Sequence, residues 1–322
     1  MGREVPEVTE AIDVKEQALA DRDLGTLKLL LMDHATLGNL RWATDDYTSL
    51  GEGFDRSDEL TVERVTGGHA EVIRPRVAKT TEEQKKRTRA RAEVFTPAWV
   101  CNVQNNLVDA AWFGRDPGFN IERRRSWDTC ALPVIFDGNR TWRDYVTKNV
   151  LEVACGEAPY ITTRYDVSTG QEISVPDRVG LLDRKLRVVS ENVAGKREWL
   201  EWAERAVKSC YAYDYQGDNV LLARENVLAA VEDAYEWQFG EKLLASHSRR
   251  FAEIIVWNVW QMDGLTGFAP YAIRAAAQGQ LDLGDSFDSS TGKNYELVPC
   301  VVYDWDEGRP IDFSSLVGRT PR

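Results

Sequence analysis

The apolar positions change period several times along the chain, and each change marks a predicted element. Residues 27–32 form a short apolar stretch, interrupted at Lys28, that predicts a strand, followed by turns at Gly38-Asn39 and at 51–53. Thr80-Thr81-Glu82-Glu83 has the hydroxyl-to-carboxylate spacing of a capping box and predicts a helix through the residues after it. Beyond residue 91 strand and helix patterns alternate. Residues 149–154 predict a short strand running into Cys155-Gly156. Residues 198–209 carry Trp199, Trp202/Ala203 and Ala206/Val207 at helical spacing, and Cys210–Asp214 then predicts a strand. Residues 219–237 predict a helix with Val220, Ala223, Val227, Val231 and Ala234 on one face. A helix around 251–257 precedes a strand at 259–262 that ends at Asp263. Residues 264–296 predict a loop, because Gly264, Gly267, Gly279, Gly284 and Gly292 interrupt any period. Strand–helix–strand alternation of this length predicts an α/β core with a parallel sheet. The expected division is a mixed α+β extension with a basic helix over residues 1–90 and the α/β core, with a loop-rich tail, over 91–322.

Composition narrows the classes. A chain of 322 residues buries roughly three quarters of its unfolded surface, so it needs no disulfides. Its net charge of −12 argues against a general nucleic-acid coat or a polybasic membrane binder. The charge is uneven: Arg74, Arg76, Lys79, Lys85, Lys86, Arg87, Arg89 and Arg91 oppose only Glu82 and Glu83, a local +6 that leaves −18 on the rest. The five cysteines (Cys101, Cys130, Cys155, Cys210, Cys300) include no C-x-x-C pair, and three scattered histidines complete no zinc pattern. With no apolar run near 18 residues and no signal-peptide core after Met1, the expectation is a cytoplasmic protein with reduced thiols and no membrane partner.

Candidate chemistry follows from the predicted strand ends, because ligands of open parallel sheets bind beyond the carboxyl ends of the strands. The first strand leads through Glu152 and Ala154 into Cys155 and Gly156, a small residue and a glycine that let backbone approach a ligand closely. The second ends in Asp214, placed to bind the two hydroxyls of a ribose. The third ends in Asp263, placed to accept from an exocyclic amine. Three acidic strand ends suit a neutral or cationic nucleoside better than a polyphosphate, and the first turn lacks G-x-G-x-x-G, which weighs against NAD. The tryptophans Trp199, Trp202, Trp237, Trp257 and Trp260 fit helical core packing better than base stacking. Cys155 reads as a small packing residue, Gln104-Asn105-Asn106 carries no assigned chemistry, and Arg123-Arg124-Arg125 reads as a surface loop.

Four segments in order resemble adenine-specific DNA methyltransferases of restriction–modification systems. Ala92-Glu-Val-Phe-Thr-Pro-Ala98 is similar to the F-T-P element of that family. Val150-Leu-Glu-Val-Ala-Cys-Gly156 is similar to its first cofactor motif, usually D-P-A-C-G-S-G. The segment from Tyr211 to Asn226 is similar to the ribose-binding motif, and Asn258-Val-Trp-Gln-Met-Asp-Gly264 to the third motif. The resemblance implies a Rossmann-like S-adenosylmethionine-dependent methyltransferase sheet, with S-adenosyl-L-methionine held by Phe95, Thr96, Pro97, Glu152, Ala154, Cys155, Gly156, Asp214 and Asp263. The chain departs from the family at Glu152, where Asp is usual, and after Gly156, where Glu157-Ala158-Pro159 replaces the second glycine. It contains no Pro-Pro, so the N-P-P-Y motif that binds the flipped base is missing; Phe268-Ala-Pro-Tyr271 is the nearest string. The expectation is a subunit that ends before the catalytic motif, its tail from Pro299 to Phe313 resembling a connecting segment. A second methyltransferase subunit would carry that motif, and DNA would be met weakly by Arg74, Lys85, Lys86, Arg87 and Arg89. The alternatives are a non-catalytic interaction or regulatory protein on a methyltransferase-like scaffold, and a nucleoside-binding transferase for small molecules.

Overall fold

The computed structural model of the chain describes residues 12–91, 96–275, 286–288 and 293–316. Helix α1 (Glu16–Leu31) leads into a small hairpin of β1 (Met32–Asp33) and β2 (Gly38–Asn39). The apolar run at 27–32 is therefore mostly helix, not strand. Asp23 leaves the helical conformation (φ −161°, ψ 94°), and its carboxylate accepts from the Gly25 amide at 3.0 Å and the Thr26 hydroxyl at 2.7 Å. It restarts the helix as a capping residue does. Leu27, Leu30 and Leu31 then share one buried face at i, i+3 and i+4. A six-residue apolar run fits either element, and the cap decides between them.

After the single turn α2 (Val62–Val65), helix α3 (Thr81–Arg91) begins at the expected capping box. The Glu83 amide donates to Thr80 Oγ1 at 3.3 Å, and the Thr80 amide donates to the Glu83 carboxylate at 2.6 Å. Helix α4 (Ala98–Phe113), the hairpin β3 (Asn120–Arg123) and β4 (Ser126–Thr129), and α5 (Trp142–Val146) precede the central sheet. That sheet is parallel, in the order β5 (Val150–Val153), β6 (Cys210–Asp214), β7 (Val259–Gln261). Val150 pairs with Cys210 and Ala212 with Val259. Parallel neighbours need long crossovers. Here α6 (Leu181–Asn192) and α7 (Lys196–Lys208) link β5 to β6, and α8 (Gly217–Phe239) and α9 (Ala245–Asn258) link β6 to β7. The architecture is mixed α/β, with one parallel sheet among several small antiparallel ones.

The sheet face carrying Cys210, Ala212 and Val259 belongs to the main core, with Leu27, Leu30, Trp42, Leu186, Trp199, Leu221 and Phe251. The other face is covered by residues expected to be loop. Helix α9 and β7 are followed by an antiparallel sheet of β8 (Phe268–Ala275), β9 (Ser286–Asp288) and β10 (Lys293–Pro299), in the order β8-β10-β9, and by the hairpin β11 (Val301–Asp304) and β12 (Arg309–Asp312). Gly267 (φ 79°) marks a turn before a strand rather than a break in order. Pro270 lies in β8, an edge strand, where a missing amide costs no ladder bond. Gly279, Gly284 and Gly292 lie outside the described residues. Tyr213 and Trp260 pack against Met262, Ala272, Val298 and Val302 of this cover. Of the tryptophans, Trp199 and Trp260 are core residues, whereas Trp237 faces solvent at 65% exposure.

Two buried carboxyl groups repel each other, and among the described residues neither oxygen of Glu225 on α8 nor Oε1 of Glu16 at the start of α1 has a hydrogen-bond partner. Burial pushes both well above the usual carboxylate range, and their mutual repulsion with Asp13 adds to it. Asp13 is pushed up to about 6, chiefly by burial. A carboxyl group raised in the fold holds its proton more tightly folded than unfolded. Its cost is absent below the unfolded value of 4.5 and grows as pH rises. The thermal midpoint is therefore expected to fall between about pH 5 and about pH 8. Glu225→Met, which removes no hydrogen bond, is expected to raise the midpoint at the upper pH by about 2 °C or more. Scanning calorimetry checks this; the same pH slope in both proteins contradicts it.

Candidate functional site

The loop leaving β5 turns left-handed three times within five residues, at Ala154 (φ 50°), Gly156 (φ 54°) and Ala158 (φ 60°). Glycine takes this conformation freely, while each alanine costs about 1 kcal/mol. The loop is held from both sides. The Cys155 amide donates to Tyr213 O at 2.9 Å, which continues the parallel ladder past the end of β5. The Gly156 amide then donates to Asp214 Oδ2 at 2.9 Å, joining the ends of two adjacent strands. Asp214 also accepts from the Gln216 amide at 3.0 Å and Asn219 Nδ2 at 3.3 Å. Burial pushes its carboxyl up, against the pull of those donors.

Glu152, in the middle of β5, accepts from the Tyr160 amide at 3.2 Å and the Ile161 amide at 3.0 Å. Burial pushes it up to about 8 despite both bonds. Its carboxyl thus folds the far side of the loop back onto the strand. Glu157 stands where a small residue was expected, and it is buried. Its carboxylate accepts from the Arg76 amide and the Tyr165 hydroxyl, both at 2.6 Å, and its carbonyl accepts from Asn226 Nδ2 at 3.1 Å. Cys155 is a buried thiol pushed up by its burial, which suits packing rather than nucleophilic chemistry.

Pro97 opens α4, whose first amide, from Ala98, donates to Asp166 Oδ2 at 3.0 Å. Thr96 meets the Tyr160 hydroxyl, and Asn105 of α4 donates to Tyr160 O at 3.1 Å. Thr96 and Pro97 are thereby brought against the loop that Glu152 holds; Phe95 lies outside the described residues. Asp263 lies two residues beyond the end of β7 at the same edge of the sheet, next to Met262, whose amide donates to Asp214 O at 2.9 Å. The Asp263 carboxylate is turned into its own turn, where it accepts from the Leu265 amide at 2.9 Å. The structure therefore gathers Glu152, Ala154, Cys155, Gly156 and Asp214 at one place, with Thr96 and Pro97 alongside. Asp263 stands apart, beyond Asp214.

The basic stretch is partly turned inward. Arg87 is buried and donates to Asp218 Oδ2 at 2.7 Å and to Gln216 Oε1 at 3.0 Å. Lys79 lies 3.6 Å from the same carboxylate, and the Tyr47 hydroxyl donates to it at 2.7 Å. Burial pushes Asp218 up, but Arg87 and Lys79 outweigh it and hold the group far below the usual carboxylate range. Arg74 pairs with Glu83 at 3.2 Å, and Lys85 and Arg89 are exposed. Arg87 is thus unavailable to a phosphate. Pattern reading missed Asp218, read Glu157 only as a departure in the first motif and assigned Arg87 to DNA, although charged residues inside or beside an otherwise apolar helical repeat are the signal for such pairs.

At this edge Asp214 keeps room to accept one further hydrogen bond, not the two that a pair of ribose hydroxyls would bring. A carboxylate has about four acceptor positions, and Asp214 uses three on its own chain. Small side chains at Ala154 and Gly156 leave backbone open beside it. Among the described residues, no three His, Cys, Asp or Glu side chains converge to hold a metal ion, and no helix is long and apolar enough to cross a membrane. A groove of about 700 Å³ lies elsewhere, beside the amino ends of β5 and β6, where Asn149, Ser209 and Trp305 line it. Comparison with protein-family models, with curated proteins and with solved structures gave no match.

Arg87→Ala leaves Asp218 buried without its closest cation, and is expected to cost roughly 3–5 kcal/mol in urea unfolding. Lys85→Ala, on the exposed side of α3, is expected to stay within about 0.5 kcal/mol. Equal effects would show that the pair carries no structural weight.

Proposed function

We propose that the carboxyl edge of the parallel sheet binds S-adenosyl-L-methionine, and that the chain is the cofactor-binding subunit of an adenine-N6 DNA methyltransferase of a restriction–modification system. In this reading a partner chain brings the N-P-P-Y-type motif and most of the DNA contact. The observation that carries it is the bond from the Gly156 amide to Asp214. It sets an open, left-handed backbone turn beside a carboxylate at the ends of two neighbouring parallel strands, the place where such sheets take nucleosides. Thr96 and Pro97 at the start of α4 adjoin the same loop. The chain order of the four motifs agrees with this placement.

The cofactor, when bound, would supply a methyl group activated on a sulfonium, with the neutral thioether as leaving group. The residues of this chain bind and orient: Asp214 offers its remaining acceptor position to a ribose hydroxyl, and the turn at 154–156 presents backbone to the amino-acid end. Catalysis is then chiefly positioning for in-line transfer. Lys85 and Arg89, exposed on α3, are the local basic groups for DNA backbone. The non-catalytic scaffold is favoured instead by one specific feature, the commitment of Glu152 and Asp214 to amides of their own loops, each residue only 7% exposed.

Calorimetric titration with S-adenosyl-L-methionine separates the two. Binding by the wild-type chain and a loss of about tenfold or more in Asp214→Asn, with unchanged circular dichroism, is the expected result. No binding by wild type, or equal binding by the variant, removes the site assignment. The isolated chain is also expected to transfer no labelled methyl groups to DNA. Robust transfer without a partner would refute the split arrangement.

A further inference from the structure

Strand β5 is left open in two respects. Among the described residues the sheet order gives it β6 on one side and no strand on the other. The Val150 amide donates to Ser209 O at 2.9 Å. Backbone groups alternate in direction along a strand, so those of Leu151 and Val153 point away from β6. The side chains of the same two residues are 49% and 59% exposed, on a sheet face that parallel sheets ordinarily keep covered. The antiparallel cover of β8, β10 and β11 reaches Tyr213 and Trp260 and stops short of β5. An uncovered apolar edge with unpaired amides is a template for another strand.

The same face continues into the groove of about 700 Å³, between the end of α7 and the β11–β12 hairpin, with Tyr211, Trp260 and Trp305 in its walls. Four carboxylates line it (Glu201, Glu204, Asp304, Asp306), against Arg205 and Lys208. Both cations are engaged, as are two of the carboxylates: Glu201 pairs with Arg197 at 3.1 Å and Glu204 with Arg250 at 3.5 Å, which among the described residues leaves Asp304 and Asp306 without a cation. Lys208 lies 3.7 Å from Glu204 and 5.0 Å above the Trp305 ring, and Arg205 lies 4.7 Å above Trp202. Aromatic walls beside the two carboxylates of Asp304 and Asp306 suit an ammonium or guanidinium group. A second copy of this chain, itself at −12, would meet the acidic groove with like charge.

We propose that this surface docks an extended segment of a partner polypeptide. The segment pairs its backbone with the outer edge of β5, lays apolar side chains over Leu151 and Val153, and places a lysine or arginine in the groove. Sheet-edge pairing of this kind supplies affinity through the main chain and specificity through the side-chain pocket. The inference rests on that part of the proposed function in which a second chain completes this one, and is independent of the cofactor.

The test uses the full chain and a short fluorescein-labelled peptide of alternating valine and threonine with two arginines at one end, followed by fluorescence anisotropy. The wild-type chain is expected to bind it about tenfold more tightly than the same peptide ending in two glutamates. Leu151→Lys is expected to weaken binding about tenfold, as is N-methylation of alternate peptide amides. The double variant Asp304→Asn, Asp306→Asn is expected to erase the preference for arginine. The proposal is overturned by no binding of the arginine peptide, by equal binding of both peptides, or by equal binding to wild type and Leu151→Lys. It is also overturned by a wild-type dimer in analytical ultracentrifugation that Leu151→Lys converts to monomer, since the occupant is then a second copy. Titration with S-adenosyl-L-methionine on the same proteins separates the two questions. If no protein binds it, the carboxyl-edge reading fails while the peptide result still decides the docking surface.

Discussion

A helix enclosed on every side must find a partner for each polar group it carries, and the first four turns of α8 are so enclosed. Every residue from Gly217 through Val231 is buried, including Asp218, Asn219, Arg224, Glu225 and Asn226. Arg224 shows how the demand is met. Its guanidinium donates to the carbonyls of Leu30 and Met32 at the end of α1 and of Val256 and Val259 at the end of α9. The unsatisfied carbonyls of two helix ends accept the charge that burial would otherwise forbid, and burial still lowers the group to about 10. One side chain thereby fixes the N-terminal helix, the last crossover helix and β7 relative to one another.

The other polar residues of α8 extend the same constraint to the carboxyl edge of the sheet. Asn219 bonds Asp214, Asp218 takes in Arg87, and Asn226 holds the carbonyl of Glu157. Glu157 in turn anchors the backbone of Arg76. The loop after β5 and the segment before α3 are therefore parts of one hydrogen-bonded assembly. This changes the meaning of the charge distribution. The +6 at residues 74–91 is partly internal neutralisation of buried acids, so less of it remains for an outside anion than the count suggests. Glu225 is the exception on the helix. Among the described residues it has no hydrogen-bond partner, and burial favours the protonated form of its carboxyl group.

The two sides of the parallel sheet are solved differently. One side is a conventional core of helices. The other is covered by antiparallel strands only where Tyr213 and Trp260 stand, and Leu151 and Val153 remain in solvent. A sheet finished on one side and open at one edge agrees with a chain that works in company, whatever chemistry its carboxyl edge performs.

Much of the sheet was legible in the sequence. Cys210–Asp214 is a strand at the expected residues, and the helices on either side of it, and the capping box at Thr80, follow from periods and spacings that local geometry dictates. The same patterns put Glu152, Gly156 and Asp214 at strand ends. They failed where an element's identity depends on something distant or on a cap. Residues 27–31 became helix through Asp23, and the expected loop at 264–296 became strands because each finds its hydrogen-bond partner in another segment. Likewise, no local pattern distinguishes a carboxylate open to a ligand from one committed to an amide many residues away, as Glu152 and Asp214 are. Sequence by itself determined the alternation of elements and which residues stand at their ends, since period and turn chemistry act over a few residues. Tertiary structure alone decided that Arg87 turns inward and that β5 has one strand neighbour among the described residues, since burial and pairing are set by parts of the chain far apart in sequence.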